Sequence, residues 1–219
     1  MKNKRIPTFE ITIEVNNRLS YRIIKRAFDI LLSTLGIILL SPLFLIIAIL
    51  VKTTSKGPVF YVSDRIGRNG YTFKFYKFRS MNVDADEQLI KLLKHNEVEG
   101  GVTFKMEDDP RITKFGKFIR KTSLDELPQL WNIFLGQMTI VGPRPCTVRE
   151  FHLYDERDQQ RLAVKQGLTG EWQVNGRSNT TFKEMIEMDI HYCAARSIWY
   201  DTKIFFKTFL AVFKKEGAH

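Results

Sequence analysis

The chain divides into one long uncharged segment and a basic, polar remainder. Residues 30–51, which read ILLSTLGIILLSPLFLIIAILV, contain no charged side chain. At about 1.5 Å per residue, a straight helix of this length would reach roughly 33 Å, enough to cross the hydrocarbon layer of a bilayer. Proline lacks the backbone N–H and clashes with the carbonyl one turn back, so Ser41-Pro42 predicts a break that leaves two arms of about eleven residues. Neither arm can span a bilayer alone.

Both flanks of this segment carry positive charge. The residues concerned are Arg18, Arg22, Lys25 and Arg26 before it, and Lys52, Lys56, Arg65 and Arg68 after it. A spanning helix usually has one basic and one less basic side. Equal flanks therefore favour a re-entrant helix-break-helix that enters and leaves one leaflet, with a kinked spanning helix and a buried core helix as alternatives. Asp29 lies at the mouth of the segment, and we expect it at the membrane interface because a carboxylate is costly at the bilayer centre.

The rest of the pattern predicts an α+β, mainly α-helical domain with a small β-hairpin and C-terminal amphipathic helices. The hairpin joins residues 58–62 and 71–78 around Asn69-Gly70. Helical periodicity covers residues 84–95, 114–121, 123–134, 181–193 and 199–215, and residues 167–178 form a turn-rich loop. Ser123 with Glu126, and Thr181 with Glu184, have the spacing of capping boxes.

The overall charge points to an anionic partner. The formal net charge is +10 and the isoelectric point is about 9.6. A lipid surface, phosphorylated small molecules and nucleic acid all fit such a charge. Half of it, +5, lies in residues 1–26 beside the apolar segment, which favours attraction to acidic lipid. The two cysteines form no CxxC motif, so the sequence predicts neither a zinc site nor a disulfide framework, and a reducing cytoplasm fits. We expect no removable signal peptide, because the apolar segment begins late and lacks a suitable cleavage site.

Residues 71–81, YTFKFYKFRSM, mix aromatic and basic side chains. Half-buried aromatics with solvated lysines are one interpretation. An edge that presents Lys77 and Arg79 to phosphate is a second, and stacking on single-stranded nucleic acid is a third.

Asp125 and Glu126 are adjacent acids in a basic neighbourhood. If they lie in the first turn of a helix, they could have a purely structural role, because acidic side chains there interact favourably with the helix dipole. Two adjacent carboxylates can also bind one Mg²⁺ ion. Arginines can hold phosphates bidentately, so the stretch suits a nucleotide diphosphate. A carboxylate can in addition act as a nucleophile and form an acyl-phosphate.

Several motifs together resemble the bacterial sugar transferase family, the monotopic polyprenyl-phosphate hexose-1-phosphate transferases or phosphoglycosyl transferases. They are KRAFDILLS before the broken apolar segment, GPVFY, YKFRSM, DPRITKFGKFIRKTSLDELPQLWN, VGPRP and GLTGEWQVNGRS. The resemblance runs over residues 21–216 and is to the compact form of the family, which lacks a multi-span N-terminal half.

The resemblance implies a ping-pong reaction with a UDP-sugar donor and undecaprenyl phosphate as acceptor. Asp125 would be the nucleophile, and Glu126 would support Mg²⁺ together with Asp125. By the same matching, six basic residues are candidates for phosphate or nucleotide contacts: Lys77, Arg79, Arg111, Arg120, Arg144 and Arg177. The product would enter capsule or exopolysaccharide synthesis.

These expectations divide the chain into an N-terminal arm (1–20), a re-entrant membrane helix (21–56) and a cytosolic catalytic domain with interfacial helices (57–219). The protein would be monotopic in the bacterial cell membrane, with its active site on the cytoplasmic face, in contact with membrane lipid and in a form compatible with a homodimer. A non-catalytic, membrane-anchored adaptor with a basic surface is the alternative function. A nucleic-acid binder explains the charge but not the apolar segment, so we expect no nucleic-acid partner.

Overall fold

The apolar segment forms two helices that meet at an angle. The computed structural model of the chain describes residues 9–95, 102, 104, 106, 108–176 and 180–213. Helix α1 covers Leu19–Leu39 and α2 covers Ser41–Thr54, and the two are bent by 62°. Pro42 lies at the start of α2 and has no N–H to donate to the Ile38 carbonyl. The Ser41 hydroxyl donates a hydrogen bond to that carbonyl instead, at 2.8 Å. The predicted break is confirmed.

The helix pair presents apolar side chains to its surroundings. Across the described ranges, no single helix is long and apolar enough to cross a bilayer, whereas α1 and α2 meet these requirements as a bent pair. Large exposed side chains on the pair include Ile23, Phe28, Leu31, Ile38, Leu39, Leu45, Ile46 and Ile49. These exposed side chains argue against the alternative of a buried core helix. The re-entrant arrangement stays a prediction.

One side of α1 nevertheless packs on the protein. Gly36 allows close contact with α5 (Gln129–Phe134), because a Cβ there would lie 2.9 Å from Cδ1 of Leu130. Asp29 is buried and accepts hydrogen bonds of 2.9 Å from the Thr139 hydroxyl and the Ile140 N–H. Asp29 therefore joins α1 to the protein interior, and its expected place at the membrane interface stays a prediction.

The predicted hairpin is confirmed and lies in a three-stranded sheet. Strands β1 (Phe60–Ile66) and β2 (Thr72–Phe78) are antiparallel, and β4 (Cys146–Thr147) pairs with the other edge of β1. Asn69 and Gly70 in the turn have φ of 56° and 78°, the left-handed values that the Asn-Gly pair accommodates.

A second sheet was not expected from the sequence. Strand β3 (Thr139–Val141) pairs in parallel with β5 (Gly167–Thr169). Helix α8 (Glu171–Asn175) follows β5, so the prediction of a turn-rich loop over residues 167–178 is wrong for its first nine residues.

Helices supply most of the remaining structure, which confirms the α+β, mainly helical class. They are α3 (Ala85–Leu92), α4 (Lys114–Lys121), α6 (Val148–Phe151), α7 (Glu156–Gln159), α9 (Phe182–Ala195) and α10 (Ile198–Phe213), with short 3-10 turns at Leu93–His95, Leu124–Glu126 and Gln160–Ala163. The capping box of Thr181 and Glu184 opens α9 as predicted. Helix α10 exposes Trp199, Phe206 and Phe209.

The hairpin also anchors α2. Phe78 of β2 is buried in one apolar cluster with Ile47 and Val51 of α2 and Ile119 of α4. The end of β2 is thereby fixed between the exit of the apolar helix pair and the segment that carries the two acids.

Candidate active site

Asp125 and Glu126 lie in a tight turn rather than in a regular helix. Helix α4 ends at Lys121, Ser123 adopts a left-handed conformation with φ of 57°, and Leu124–Glu126 form a 3-10 turn. The Ser123 side chain makes no capping hydrogen bond, so the predicted capping box is wrong here. The predicted continuous helix over residues 123–134 is also wrong, because Pro128 lacks an N–H and α5 begins only after it. The turn leaves Asp125 only 4% exposed.

Lys77 bridges the two acids from β2. Side chains alternate along a strand, so Lys77 points to the same face as Phe75, and its Nζ lies 5.8 Å from the centre of that ring. The Nζ donates hydrogen bonds to Glu126 Oε1 at 2.7 Å and to Asp125 Oδ2 at 3.3 Å. Lys74 faces the other way and pairs with exposed Asp64. The two lysines of this strand therefore differ: one is solvated, and the other belongs to the acid site.

Arg144 approaches Glu126 from the loop after β3. Its Nη1 donates to Glu126 Oε1 at 3.2 Å. The loop is held from behind by two arginines, since Arg161 donates to the Arg144 carbonyl at 3.0 Å and Arg65 donates to the Pro145 carbonyl at 3.2 Å. Arg161 is itself buried in an ion pair with Asp189. This network fixes the backbone from which Arg144 extends.

The environment affects the pKa of the two acids in opposite directions. Burial raises the pKa of Asp125, and the negative charge of Glu126 raises it further, whereas the positive charge of Lys77 opposes both effects. Burial also tends to raise the pKa of Glu126, but Lys77 and Arg144 outweigh it and lower the value to about 2. Glu126 is thus a fixed negative charge, and Asp125 is a more basic carboxylate than usual.

The other predicted phosphate contacts are placed differently. Arg120, half-buried in the last turn of α4, lowers the pKa of Asp125 through its charge. Arg79 is buried and donates to the carbonyls of Ser55 and Lys56 at the end of α2. Arg111 is buried in a bidentate pair with Asp109, with an Nη2–Oδ2 distance of 2.6 Å. Arg177 lies outside the described residues.

The structure therefore brings Lys77 and Arg144 onto the acids and directs Arg79 and Arg111 to other partners. Sequence reasoning missed the supporting role of Arg65 and Arg161. No local signal identifies them, since their partners lie 80 and 17 residues away.

The two carboxylates of the acid pair lie close enough together to contact the same cationic group. That group is Nζ of Lys77, which lies 2.7 Å from Glu126 Oε1 and 3.3 Å from Asp125 Oδ2. No third His, Cys, Asp or Glu completes a ligand cluster within the described part of the chain. Mg²⁺ commonly takes one or two carboxylates and completes its shell with water and substrate phosphate. The two acids fit Mg²⁺ on these terms.

A model of the bacterial sugar transferase family matches residues 20–215 of the chain. The chain belongs to this family. Its relatives include galactosyl transferase CpsE of Streptococcus agalactiae, which is 46% identical over 98% of this chain and 49% of its own length. The exopolysaccharide production protein ExoY of Sinorhizobium fredii is 45% identical over 89% of this chain and 88% of its own length. The undecaprenyl-phosphate galactose phosphotransferase of Salmonella typhimurium is 42% identical over 91% of this chain and 42% of its own length.

This member of the bacterial sugar transferase family thus spans about half the length of several curated relatives and most of the length of ExoY. The match includes the segment with Asp125 and Glu126 as well as the strand and loop that supply Lys77 and Arg144.

Proposed function

We propose that this chain transfers a hexose-1-phosphate from a UDP-sugar to undecaprenyl phosphate, in the first membrane step of exopolysaccharide, capsule or related glycan synthesis. The observation that carries the proposal is the convergence of Lys77 and Arg144 on the buried Asp125-Glu126 pair. The names of two relatives support it: the Salmonella protein is an undecaprenyl-phosphate galactose phosphotransferase, and a 39% identical Escherichia coli protein is a UDP-glucose:undecaprenyl-phosphate glucose-1-phosphate transferase.

In the first step, a carboxylate oxygen of Asp125 attacks the β-phosphorus of the UDP-sugar. The bond between that phosphorus and the bridging oxygen breaks, and UMP leaves with the bridging oxygen. The product is an acyl phosphate in which the Asp125 carboxyl is joined to the phosphate of the sugar. The raised pKa of this carboxyl favours the step because a more basic carboxylate is a better nucleophile once ionised.

In the second step, a phosphate oxygen of undecaprenyl phosphate attacks the same phosphorus and displaces the Asp125 carboxylate. A diphosphate then links the sugar to the lipid, and the free carboxylate is restored. Lys77 and Arg144 provide fixed positive charge beside the transferring phosphoryl group in both steps.

A Mg²⁺ ion, held by Asp125 and Glu126, would contribute further positive charge to stabilise the diphosphate. Glu126 suits this role because its low pKa keeps it ionised at neutral pH.

The apolar surface supports a monotopic place at the cytoplasmic face of the membrane. Exposed apolar side chains occur on α1 and α2, on α5 (Trp131) and on α10 (Trp199). A reaction between a water-soluble donor and a lipid acceptor has to occur at the level of the headgroups. A homodimer stays a prediction from the sequence.

A single-turnover experiment tests the function and the covalent step together. The protein is mixed with Mg²⁺ and UDP-galactose or UDP-glucose labelled at the β-phosphate, first without acceptor. Wild-type protein should release UMP and become labelled, and undecaprenyl phosphate should then remove the label. Asp125→Asn should do neither, while the exposed-site control Asp108→Asn should behave like wild type.

Two results would contradict the proposal. Full activity of Asp125→Asn would remove the nucleophile assignment, and UMP release only in the presence of acceptor would exclude the covalent intermediate. A non-catalytic adaptor would release no UMP with any sugar nucleotide.

A further inference from the structure

A second concentration of positive charge lies beside the first half of α1, away from the acid pair. A cavity of about 390 Å³ opens there between α1, the hairpin turn and the segment before β5. One acid, Asp29, lies in its lining with six basic residues: Arg22, Lys25, Arg26, Arg68, Lys165 and Arg196.

Three of the basic residues are already neutralised or engaged. Lys25 forms an ion pair of 2.6 Å with Asp201. Arg26 donates to the carbonyls of Ile133 and Phe134, and Arg196 donates to the carbonyl of Asn16. These contacts fix one side of the cavity.

The side chains of the other three basic residues, Arg22, Arg68 and Lys165, make no direct ion pair or hydrogen bond with a described residue. Burial lowers the pKa of Lys165, and the charges of Arg26, Arg68 and Lys25 lower it further against the opposing effect of Asp29. Burial and the charges of Arg22 and Arg196 likewise lower the pKa of Arg68. Six basic residues share one carboxylate, Asp29, in the cavity lining. Such an excess of like charge is a cost that a bound anion removes.

The cavity is separate from the acid pair. Arg68 lies in the turn of the hairpin, whereas Lys77 pairs with Tyr61 near the opposite end. The five residue steps from Thr72 to Lys77 correspond to about 17 Å along the strand.

We propose that this cavity is a second anion site that binds a phosphate group, carried either by a lipid headgroup or by a water-soluble phosphate. Two guanidinium groups and an ammonium group match the oxygens of a phosphate. Leu19 and Ile23, which line the cavity, are 67% and 60% exposed, so apolar surface adjoins the charged site. That combination suits a lipid whose phosphate enters the cavity while its chains remain in the bilayer.

The test compares two double variants that remove the same charge. Arg68→Gln/Lys165→Gln removes two unpaired groups of the cavity. The control, Lys91→Gln/Lys94→Gln, removes two exposed lysines on and just after α3. Affinity is measured by calorimetry on the full chain in a neutral detergent, with three probes: dihexanoyl phosphatidic acid, dihexanoyl phosphatidylcholine and pyrophosphate.

We expect the cavity variant to lose affinity for phosphatidic acid or pyrophosphate by roughly tenfold or more, as the loss of two charge-assisted contacts implies, while the control binds like wild type. Tighter binding of phosphatidic acid than of pyrophosphate identifies a lipid as the source, and the reverse order identifies a soluble phosphate. Phosphatidylcholine has the same acyl chains but a headgroup without net charge, so it reports binding that does not depend on net negative charge.

Folding is checked by the unfolding midpoint without probe, which should not fall in the cavity variant because like-charge repulsion is relieved. If the double variant misfolds, the exposed single substitution Arg68→Gln is compared with Lys91→Gln. Absence of binding by wild type to both anionic probes, or an equal loss in the cavity variant and its control, would overturn the proposal.

Discussion

At the scale of single residues, the acid pair depends on one lysine. Lys77 contacts both Asp125 and Glu126, and its charge is the largest influence that lowers the pKa of Asp125. Lys74, three residues earlier on the same strand, cannot replace it, because its side chain faces solvent and pairs with Asp64.

Lys77→Met should reduce the rate of UMP release by roughly 100-fold, as the loss of one preorganised charge implies. It should also move the acidic limb of the pH–rate profile to higher pH, because without Lys77 the pKa of Asp125 rises further. Lys74→Met is the control and should leave the profile in place. An unchanged profile in Lys77→Met would show that Lys77 does not act on Asp125.

Glu126 gives a second, pH-dependent prediction. Its pKa in the folded protein is about 2, compared with an ordinary value of 4.5, so its carboxylate stabilises the folded state above about pH 4.5. This contribution is lost as pH falls from about 4.5 towards 2, where the folded protein protonates it.

We therefore expect Glu126→Gln to lower the free energy of unfolding at pH 7 and to lose less stability than wild type between pH 5 and pH 2. Chemical denaturation at several pH values measures the difference. Glu87→Gln, at an exposed position of α3, provides a comparison outside the site. A difference between wild type and Glu126→Gln that is independent of pH would contradict the assignment.

At the scale of elements, local sequence signals predicted the hairpin and the helix break. Features that depend on distant contacts were not predicted. Asn69-Gly70 predicted the hairpin because the turn needs two positive φ values, and Pro42 predicted the break because it has no N–H to donate. The capping-box spacing of Ser123 and Glu126 was misleading, because Ser123 takes a left-handed conformation after α4 and Pro128 prevents a continuous helix. The parallel pairing of β3 and β5 joins segments 28 residues apart, which no local pattern indicates.

The candidate site, too, was predicted only in part from the sequence. The sequence predicted the acid pair and its basic surroundings. It also indicated that the lysines of residues 71–81 are either solvated or directed to phosphate. The roles of the two lysines depend on the alternation of side chains along β2. Lys77 faces inward to the acids, and Lys74 faces outward to Asp64. The roles of Arg65 and Arg161 depend on loops brought together by the fold.

Arg79 was predicted to contact phosphate, but in the structure it stabilises the end of helix α2. Its guanidinium caps the carboxyl end of α2 through Val51, Ser55 and Lys56. Gly57 has φ of 125° and leaves the space for it, since a Cβ there would overlap Nη1 of Arg79.

We expect Arg79→Lys to lower the free energy of unfolding by about 2–4 kcal/mol, because an ammonium group cannot reproduce several hydrogen bonds to the carbonyls at the end of α2. The KM for the UDP-sugar should stay unchanged at a temperature where the variant is folded. Arg149→Lys, in the short helix α6, is the matched control. Normal stability with a raised KM would instead support the phosphate contact.

At the scale of the whole molecule, both charged sites lie beside the apolar helix pair. The acid pair is tied to the exit of α2 through the cluster of Phe78, Ile47 and Val51, and the basic cavity adjoins the start of α1. A membrane that accommodates α1 and α2 therefore brings both sites close to its surface.

We expect the bend between α1 and α2 to decide on which side of the membrane each end of the chain lies. Pro42 lacks the N–H that would continue the helix, and the hydroxyl of Ser41 contacts the Ile38 carbonyl instead. Without the proline, a straight helix through residues 30–51 would be about 33 Å long, enough to span the hydrocarbon layer.

We expect accessibility reporters at the two termini to lie on the same side of the membrane in the wild-type chain. Pro42→Ala restores the missing donor, so a fraction of the molecules should place the N-terminal reporter on the opposite side. Ser41→Ala keeps the proline and should retain the wild-type result, which separates the effect of the bend from that of the altered side chain. Reporters on opposite sides in the wild-type chain would show that the helix pair spans the membrane, and the monotopic arrangement would then be wrong.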